Sequence, residues 1–308
     1  MRLAVLLTAL LVVACSGAQT AAQSTNAMSC KLPVSIADAS GHLQGAFVAF
    51  PGGKMTVDHA GDGGAYYDGA RSRWLPASRS TVLPEGTRYA YLDRKVPGTP
   101  GLSRLHTVEV STGKDTAVDF GQPGDAYVIV EFAPEGVWLT YSGYEAPGRG
   151  LFLLDLATGR LQDHAVLDLN EPVAGAPGVF WFTDPGPNPQ IAAIGFPIPA
   201  RVLRLTTADG KAELWAAKPG KYVRVFGADL AGHPIFGTYS DKANGYDISI
   251  AKAPNDDKLI GLPVGVYGQF ADSHGVWFGG AKGIYLYSTG GELRKISDLN
   301  GSPAGSCV

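Results

Sequence analysis

Residues 134–141 read Pro134-Glu135-Gly136-Val137-Trp138-Leu139-Thr140-Tyr141, a tight turn that delivers the chain into a strand. Gly and Pro punctuate turns, and the β-branched and aromatic residues that follow fit a pleated surface. The pattern stands upstream as Pro84-Glu85-Gly86, ahead of Thr87-Arg88-Tyr89-Ala90-Tyr91-Leu92. It returns as Ala176-Pro177-Gly178, which leads into Val179-Phe180-Trp181-Phe182. A related turn reads Ala37-Asp38 before Gly41, Ala228-Asp229 before Gly232, and Ala271-Asp272 before Gly275 and Val276-Trp277-Phe278. The six turn glycines, at 41, 86, 136, 178, 232 and 275, lie 42 to 54 residues apart. The body of the chain repeats.

A second marker follows the first. Alternating runs stop at Thr112-Gly113, Thr158-Gly159, Asp209-Gly210 and Gly290-Gly291, and each is followed by another strand-like run. A β-rich run, a Gly-containing turn and a further run make a hairpin. One unit is therefore about four short strands, with no convincing helix. Four strands every 40 to 50 residues is the signature of a β-propeller blade. The expected fold is all-β, a single six-bladed β-propeller over residues 30–308; seven blades would fit only with one badly degenerate. A lone four-stranded sheet cannot bury both faces, whereas radial packing buries them and leaves only short edges. Trp74, Trp138, Trp181, Trp215 and Trp277 then read as packing between blades.

Composition agrees. Hydrophobic residues are 45% and charged residues 17%, which supports a sizeable core and excludes wholesale disorder. Lys plus Arg is 25 against Asp plus Glu 28, a net charge of -3, without the basic excess of a nucleic-acid binder. Gly 41 and Pro 21 indicate many short elements joined by many turns.

The N-terminus reads as an address. Arg2 precedes an apolar run over residues 3–14, too short for the roughly 20 residues of a spanning helix and suited to a secretory signal. The run ends Val12-Val13-Ala14-Cys15, which resembles a bacterial lipobox and implies cleavage after residue 14 and lipidation of Cys15. An ordinary signal cut near Thr20-Ala21-Ala22 also exports the chain. Residues 1–14 are thus expected to be a signal peptide and 15–29 a flexible tether. The expected product is a monomer in the cell envelope, anchored to the membrane through Cys15. Removal of Cys15 leaves Cys30 and Cys307, an even pair in an oxidising compartment. After the last repeat only a short connector leads to Cys307, and a ring would point it at Cys30. A Cys30–Cys307 disulfide is the expected clasp of the ring, worth roughly 5 kcal/mol in the chain-entropy model.

The run from Pro84 through Thr112-Gly113, and a second from Phe132 to Gly159, resemble the TolB-type (WD40-like) propeller repeat. Gly64-Ala65-Tyr66-Tyr67-Asp68 and Trp74-Leu75-Pro76 resemble a kelch repeat more loosely, in the first blade. The TolB-type likeness implies a secreted or envelope propeller, often a protein-binding module. It brings no catalytic residues, because the matching positions are structural turns.

Chemistry is sparse. The six histidines show no metal-ligand spacing, and His42, His233 and His274 lie in or beside the repeated turn. No GxSxG elbow or Walker loop is present. Asn255-Asp256-Asp257-Lys258 reads as a hairpin tip, and Gly61-Asp62-Gly63-Gly64 as a loop with no helix behind it to receive phosphate. No cofactor, metal or catalytic residue is expected.

A binding site should lie at one mouth of the ring, on loops between second and third strands. These carry Arg94, Tyr141, Tyr144, Glu145, Arg149, Asp184, Tyr239 and Asp241. Tyrosine mixed with charge suits a polar partner. The Pro-rich 184–200 segment, with Ile191 and Phe196, could overhang the mouth and give apolar contact. The expected function is a non-catalytic binding module for a protein, peptide or glycan, with no nucleic-acid partner. The alternative is a metal-dependent, lactonase-like propeller hydrolase, for which Glu131, Asp229 and Asp272 are the candidate axial carboxylates.

Overall fold

The first strand of the chain and its last lie side by side in one sheet. In the computed structural model, which describes residues 28–142, 147–165, 170–187, 197–240 and 244–308, the chain is all-β apart from two single 3-10 turns. The first sheet holds β1 (Lys31–Ala37), β2 (Leu43–Ala49) and β3 (Lys54–Asp58). A two-stranded hairpin follows, β4 (Tyr66–Asp68) and β5 (Arg73–Leu75). The second sheet is β6 (Arg88–Leu92), β7 (Ser103–Glu109) and β8 (Asp115–Phe120). A bridge from Val82 to Tyr89 stands where its innermost strand would be.

Three regular four-stranded meanders come next. The third sheet is β9 (Tyr127–Ala133), β10 (Gly136–Ser142), β11 (Pro147–Leu154) and β12 (Leu161–Ala165). The fourth is β13 (Asn170–Ala176), β14 (Val179–Asp184), β15 (Arg201–Thr206) and β16 (Lys211–Ala217). The fifth is β17 (Val223–Ala228), β18 (Pro234–Ser240), β19 (Gly245–Ala251) and β20 (Asp257–Leu259). The sixth repeats the plan with β21 (Val266–Asp272), β22 (Gly275–Gly280), β23 (Gly283–Ser288) and β24 (Leu293–Ser297). The chain then returns as β25 (Ser302–Pro303), which pairs antiparallel with β1 and gives the first sheet its innermost strand.

The sheets pack face to face in sequence order, and apolar side chains cause it. Leu83, Leu105 and Phe120 of the second sheet's face meet Phe132, Val137 and Leu154 of the third. Trp138 of the third buries against Phe180 and Phe182 of the fourth. Trp181 and Trp215 of the fourth meet Val225 and Phe236 of the fifth. Ile235 and Ile250 of the fifth meet Val276 and Phe278 of the sixth. Trp277 then closes the circle against Leu32, Val34 and Phe50 of the first, stacking on the Phe50 ring at 5.6 Å. Burying an aromatic of this size is worth a few kcal/mol, so these layers dominate stability. The result is a β-propeller.

The β4–β5 hairpin is a wedge in this circle. Tyr67 and Trp74 pack on Phe47 of the first sheet, at ring separations of 4.9 and 5.9 Å. Its other side joins Leu75 to Ala77 and Val82, which lead into the second sheet. The kelch-like residues are therefore a unit apart from the first sheet. Whether the wedge is counted decides between six blades and seven.

Two strap-like features close the ring. Cys30 and Cys307 form a disulfide, their Cα atoms 5.6 Å apart across a separation of 277 residues. Lys31 and Val308 exchange two backbone hydrogen bonds of 2.7 and 3.0 Å beside it. Met28, at the end of the expected tether, packs against the core cluster shared by the first and sixth sheets.

Strand exchange changes the place of one repeated turn. Gly178 and Gly232 sit between the first and second strands of their sheets, Gly136 and Gly275 open the second strand, and Gly86 lies between the Val82 bridge and β6. Gly41 sits between the second and third strands, because β25 supplies the innermost strand. The Gly41 turn nevertheless matches the Gly232 turn: the Asp N–H donates to the His carbonyl in both, Asp38 to His42 and Asp229 to His233.

Candidate functional site

The innermost strands meet at a cavity of about 530 Å³ on the axis. Its wall draws on the 78–84 segment, β9, β13, β17 and β21. Strand pairing sets the height of each side chain. Glu131, Val173 and Phe270 stand opposite Trp138, Trp181 and Trp277, the three equivalent tryptophans, and so occupy one tier of the wall. Gln269 is the next residue along β21. The polar groups of the wall are few: Arg79, Glu131, Gln269 and two serines, Ser78 and Ser80, among apolar and aromatic neighbours.

Each polar group has a distinct state. The Arg79 guanidinium donates to the Val82 carbonyl at 3.2 Å and lies 5.7 Å from the Tyr66 ring centre, whose plane stacks on Phe270. Burial pushes the Glu131 carboxyl above the usual glutamate range, the Glu135 carboxylate adds to the rise, and Arg79 opposes it. No described residue donates a hydrogen bond to Glu131. Gln269 Nε2 donates to the Phe226 carbonyl at 3.0 Å, while its Oε1 is buried with no partner.

The other acidic candidates are tied into turns. Asp272 accepts from the His274 N–H at 2.8 Å, the Trp277 indole N–H at 2.8 Å and the Cys307 N–H at 2.9 Å. Asp229 accepts from the His233 N–H at 2.8 Å and pairs with its ring at 2.9 Å. Both line a second cavity of about 400 Å³ between the turn ends of the fifth and sixth sheets, apart from the axial wall. Of the three axial carboxylates considered, Glu131 alone lines the central cavity. Among the described residues, no group of three or more His, Cys, Asp or Glu is arranged to hold a metal.

Of the described residues expected on the mouth loops, only Arg94 lies on a connection; Tyr141, Arg149, Asp184 and Tyr239 stand at the ends of β10, β11, β14 and β18, because the strands run further than the sequence pattern indicated. Arg94 is exposed in the β6–β7 connection. Tyr141 ends β10 and packs edge-on to Tyr127 at 5.9 Å. The Tyr127 hydroxyl donates to Asp125 at 2.9 Å, and burial holds its pKa well above the usual tyrosine range. Arg149 pairs with Tyr141 in the β10–β11 ladder through its backbone. Asp184 is locked to Arg201 by two bonds of 2.6 and 2.5 Å at the base of the Pro-rich segment, a forked pair that fixes both side chains. The Tyr239 hydroxyl donates to Asn244 at 3.1 Å. Cys15, Tyr144, Glu145, Ile191, Phe196 and Asp241 lie outside the described residues.

Sequence reasoning did not find Gln269 or Arg79. Gln269 lies six residues before the turn glycine Gly275 and carries no motif. The only available signal was its register beside Phe270 on an innermost strand.

A further polar group lies away from the axis, on the second sheet. The ring of His106 stacks on Tyr91 at 4.6 Å and reaches Asp115 at 3.0 Å and Asp93 at 3.3 Å. The Tyr91 hydroxyl donates to the same Asp115 at 2.7 Å, which pushes its pKa up to about 12. The His106 Nε2 facing Asp93 is buried and has no hydrogen-bond partner, whereas Nδ1 is paired with Asp115.

No protein-family profile and no curated relative matches this chain. Among solved structures, the β-propeller domain of the Trilobed protease from Pyrococcus furiosus matches with a TM-score of 0.46 at 12% identity, covering 89% of this chain and 85% of that one. Puromycin hydrolase matches at 0.47 and 13%, over 78% of this chain and 48% of that one. A prolyl endopeptidase matches at 0.41 and 12%, over 89% and 51%. The chain thus spans about half the length of the latter two. No chemistry is carried over from any of them.

Proposed function

We propose that this chain is an exported, lipid-anchored propeller that acts as a non-catalytic binding module, with the axial cavity and its mouth as the recognition surface. The observation that carries the reading is the division of polar groups. The carboxylates of the repeated turns are occupied by backbone and indole N–H groups, whereas on the axial wall no described residue donates to Glu131. A concave, mostly apolar surface with a few convergent polar groups is the usual form of a ligand site. The lipobox-like Val12-Val13-Ala14-Cys15 and the TolB-type likeness of residues 84–113 and 132–159 support an envelope address.

The test is capture of a protein, peptide or glycan from envelope extract by the full chain, against a variant with the cavity filled by Ala174→Trp and an unchanged melting temperature. A partner held by the parent and lost by the variant is expected. No reproducible partner, or stoichiometric Ca²⁺ or Zn²⁺ together with hydrolytic activity, would overturn the reading in favour of a metal-dependent hydrolase. For the anchor, Cys15→Ala should move the chain from the membrane to the soluble fraction.

A further inference from the structure

One imidazole stands between two carboxylates on the second sheet. His106 on β7 presents Nδ1 to Asp115 on β8 at 3.0 Å, and Nε2 to Asp93, which follows β6, at 3.3 Å. The first contact is a hydrogen bond; at the second, Nε2 is buried and has no hydrogen-bond partner. A neutral ring carries a single N–H, and the Asp115 carboxylate, which can only accept, commits it to Nδ1. The bare lone pair of Nε2 then faces the other carboxylate, out of reach of water. A protonated ring has two N–H donors, one for each acid. The arrangement therefore suits the imidazolium and penalises the neutral ring.

The groups around the ring leave that preference intact. From β6, Tyr91 stacks on the ring at 4.6 Å and donates its hydroxyl to Asp115 at 2.7 Å. On β7 itself, Arg104 is forked onto Asp119 of β8 by bonds of 2.7 and 3.0 Å. No lysine or arginine pairs with Asp93 or Asp115 among the described residues, so the ring is the cation they can share. Asp93 is also the root of the 93–102 connection from β6 to β7. Its backbone N–H donates to the Arg104 carbonyl at 3.1 Å. Further along, the Gly98 N–H donates to the Gly124 carbonyl at 2.9 Å, on the approach to the third sheet. The loop carries Arg94 and the exposed Val96 and Leu102.

We infer that His106 is a pH-sensitive latch on the 93–102 loop: the protonated ring ties Asp93 to Asp115 across β7, and the neutral ring lets Asp93 go and loosens the loop. Histidine changes charge between about pH 5 and 8, so acid closes the latch and alkali opens it. Closing takes up a proton, and the loop is held most firmly at the acid end for that reason. The Asp93 side chain is half exposed, which lets its carboxylate swing into line with the Nε2 proton or out to water. The inference goes beyond the binding-module reading and does not need it.

Hydrogen exchange of the purified full chain, read by mass spectrometry at about pH 5.5 and about pH 8, tests it on either side of the histidine range. After correction for intrinsic exchange rates, protection of the 93–99 amides should fall about two- to fivefold at the higher pH, the range of a half-exposed ion pair. The 218–222 connection between the fourth and fifth sheets is the reference and should not change. Asp93→Asn, at an exposed position, should keep the melting temperature and show at both pH values the protection that the parent has at the higher one. His106→Gln, uncharged throughout, should do the same. Equal protection of the parent loop at the two pH values, or an undiminished response in Asp93→Asn, would overturn the latch. A loop that ignores pH in a chain that still captures an envelope partner defeats this inference alone. A loop that responds in a chain with no partner supports the latch and counts only against the binding module.

Discussion

The backbone N–H of Cys307 donates to the Oδ2 of Asp272 across 2.9 Å, the same oxygen that accepts the indole N–H of Trp277 at 2.8 Å. One buried carboxylate thus joins a blade turn, the inter-sheet tryptophan and the C-terminal clasp. Its other oxygen takes the His274 N–H. Three donors lose their partner in Asp272→Ala, and each buried orphan costs about 1–3 kcal/mol. The expected loss is about 3–5 kcal/mol, read as a lower denaturation midpoint. Asp229→Ala, at the equivalent but more exposed turn with only His233 as partner, should cost about 1 kcal/mol. Equal losses at the two positions would refute the special role of Asp272.

The Cys30–Cys307 bond closes a loop of nearly the whole described chain, which in the chain-entropy model is worth up to about 5 kcal/mol. β25 pairing and the Lys31–Val308 bonds remain after reduction, so the ring should loosen first at its seam. Cys30→Ser with Cys307→Ser is expected to lower unfolding free energy by about 3–5 kcal/mol. Hydrogen exchange should quicken at β1 and β25 before it does at β9 and β10. Uniform quickening would show that the clasp stabilises the ring globally rather than at its seam.

The ring was legible because its markers are turns and tryptophans, whose demands are local. Gly136 and Gly275 need positive φ, at 150° and 137°, and Trp138 and Trp277 follow each by two residues into the next sheet. The clasp was legible because only two cysteines remained beside the repeats. Strand exchange was not: β25 is two residues long, and Ser302-Pro303 has no strand pattern of its own. Its pairing is dictated by β1, distant in sequence. The wedge was hidden likewise, since β4 and β5 are three residues each and their burial against Phe47 is tertiary. On the axis, Glu131 was visible as a carboxylate on an innermost strand. Gln269 was not, because what makes it notable is a buried oxygen without a donor, a property of three dimensions.

Glu131 should make stability depend on pH in a definite sense. Its carboxyl titrates higher in the folded chain than its ordinary 4.5, chiefly through burial. Folding therefore favours the protonated form. That favourable contribution is complete below the ordinary value and is lost as pH rises through the raised folded value. At neutral pH the charge is a burden on the fold, so Glu131→Gln should be more stable than the parent near pH 7. The difference should vanish below about pH 4.5, where both carry a neutral side chain. Guanidinium denaturation at the two pH values checks it, and a variant that is less stable at neutral pH contradicts the burial assigned to Glu131.

Trp181 tests how tightly the sheets interlock. Its indole N–H donates to the Gly232 carbonyl at 2.9 Å, linking the fourth sheet to the turn of the fifth, and its ring sits edge-on to Trp215 at 4.6 Å. Gly175, on the neighbouring strand, lets the indole lie against the backbone; a methyl there would collide with Nε1. Gly175→Ala must displace the ring, break the bond to Gly232 and overpack the layer, at about 1–3 kcal/mol. Trp181→Phe leaves the Gly232 carbonyl short of a donor but relieves the collision. The pair of changes should therefore be less damaging than the sum of the two alone, by about 1 kcal/mol. A double-mutant cycle with tryptophan fluorescence as readout measures that coupling, and strict additivity would show that Gly175 is small for a reason other than the ring beside it.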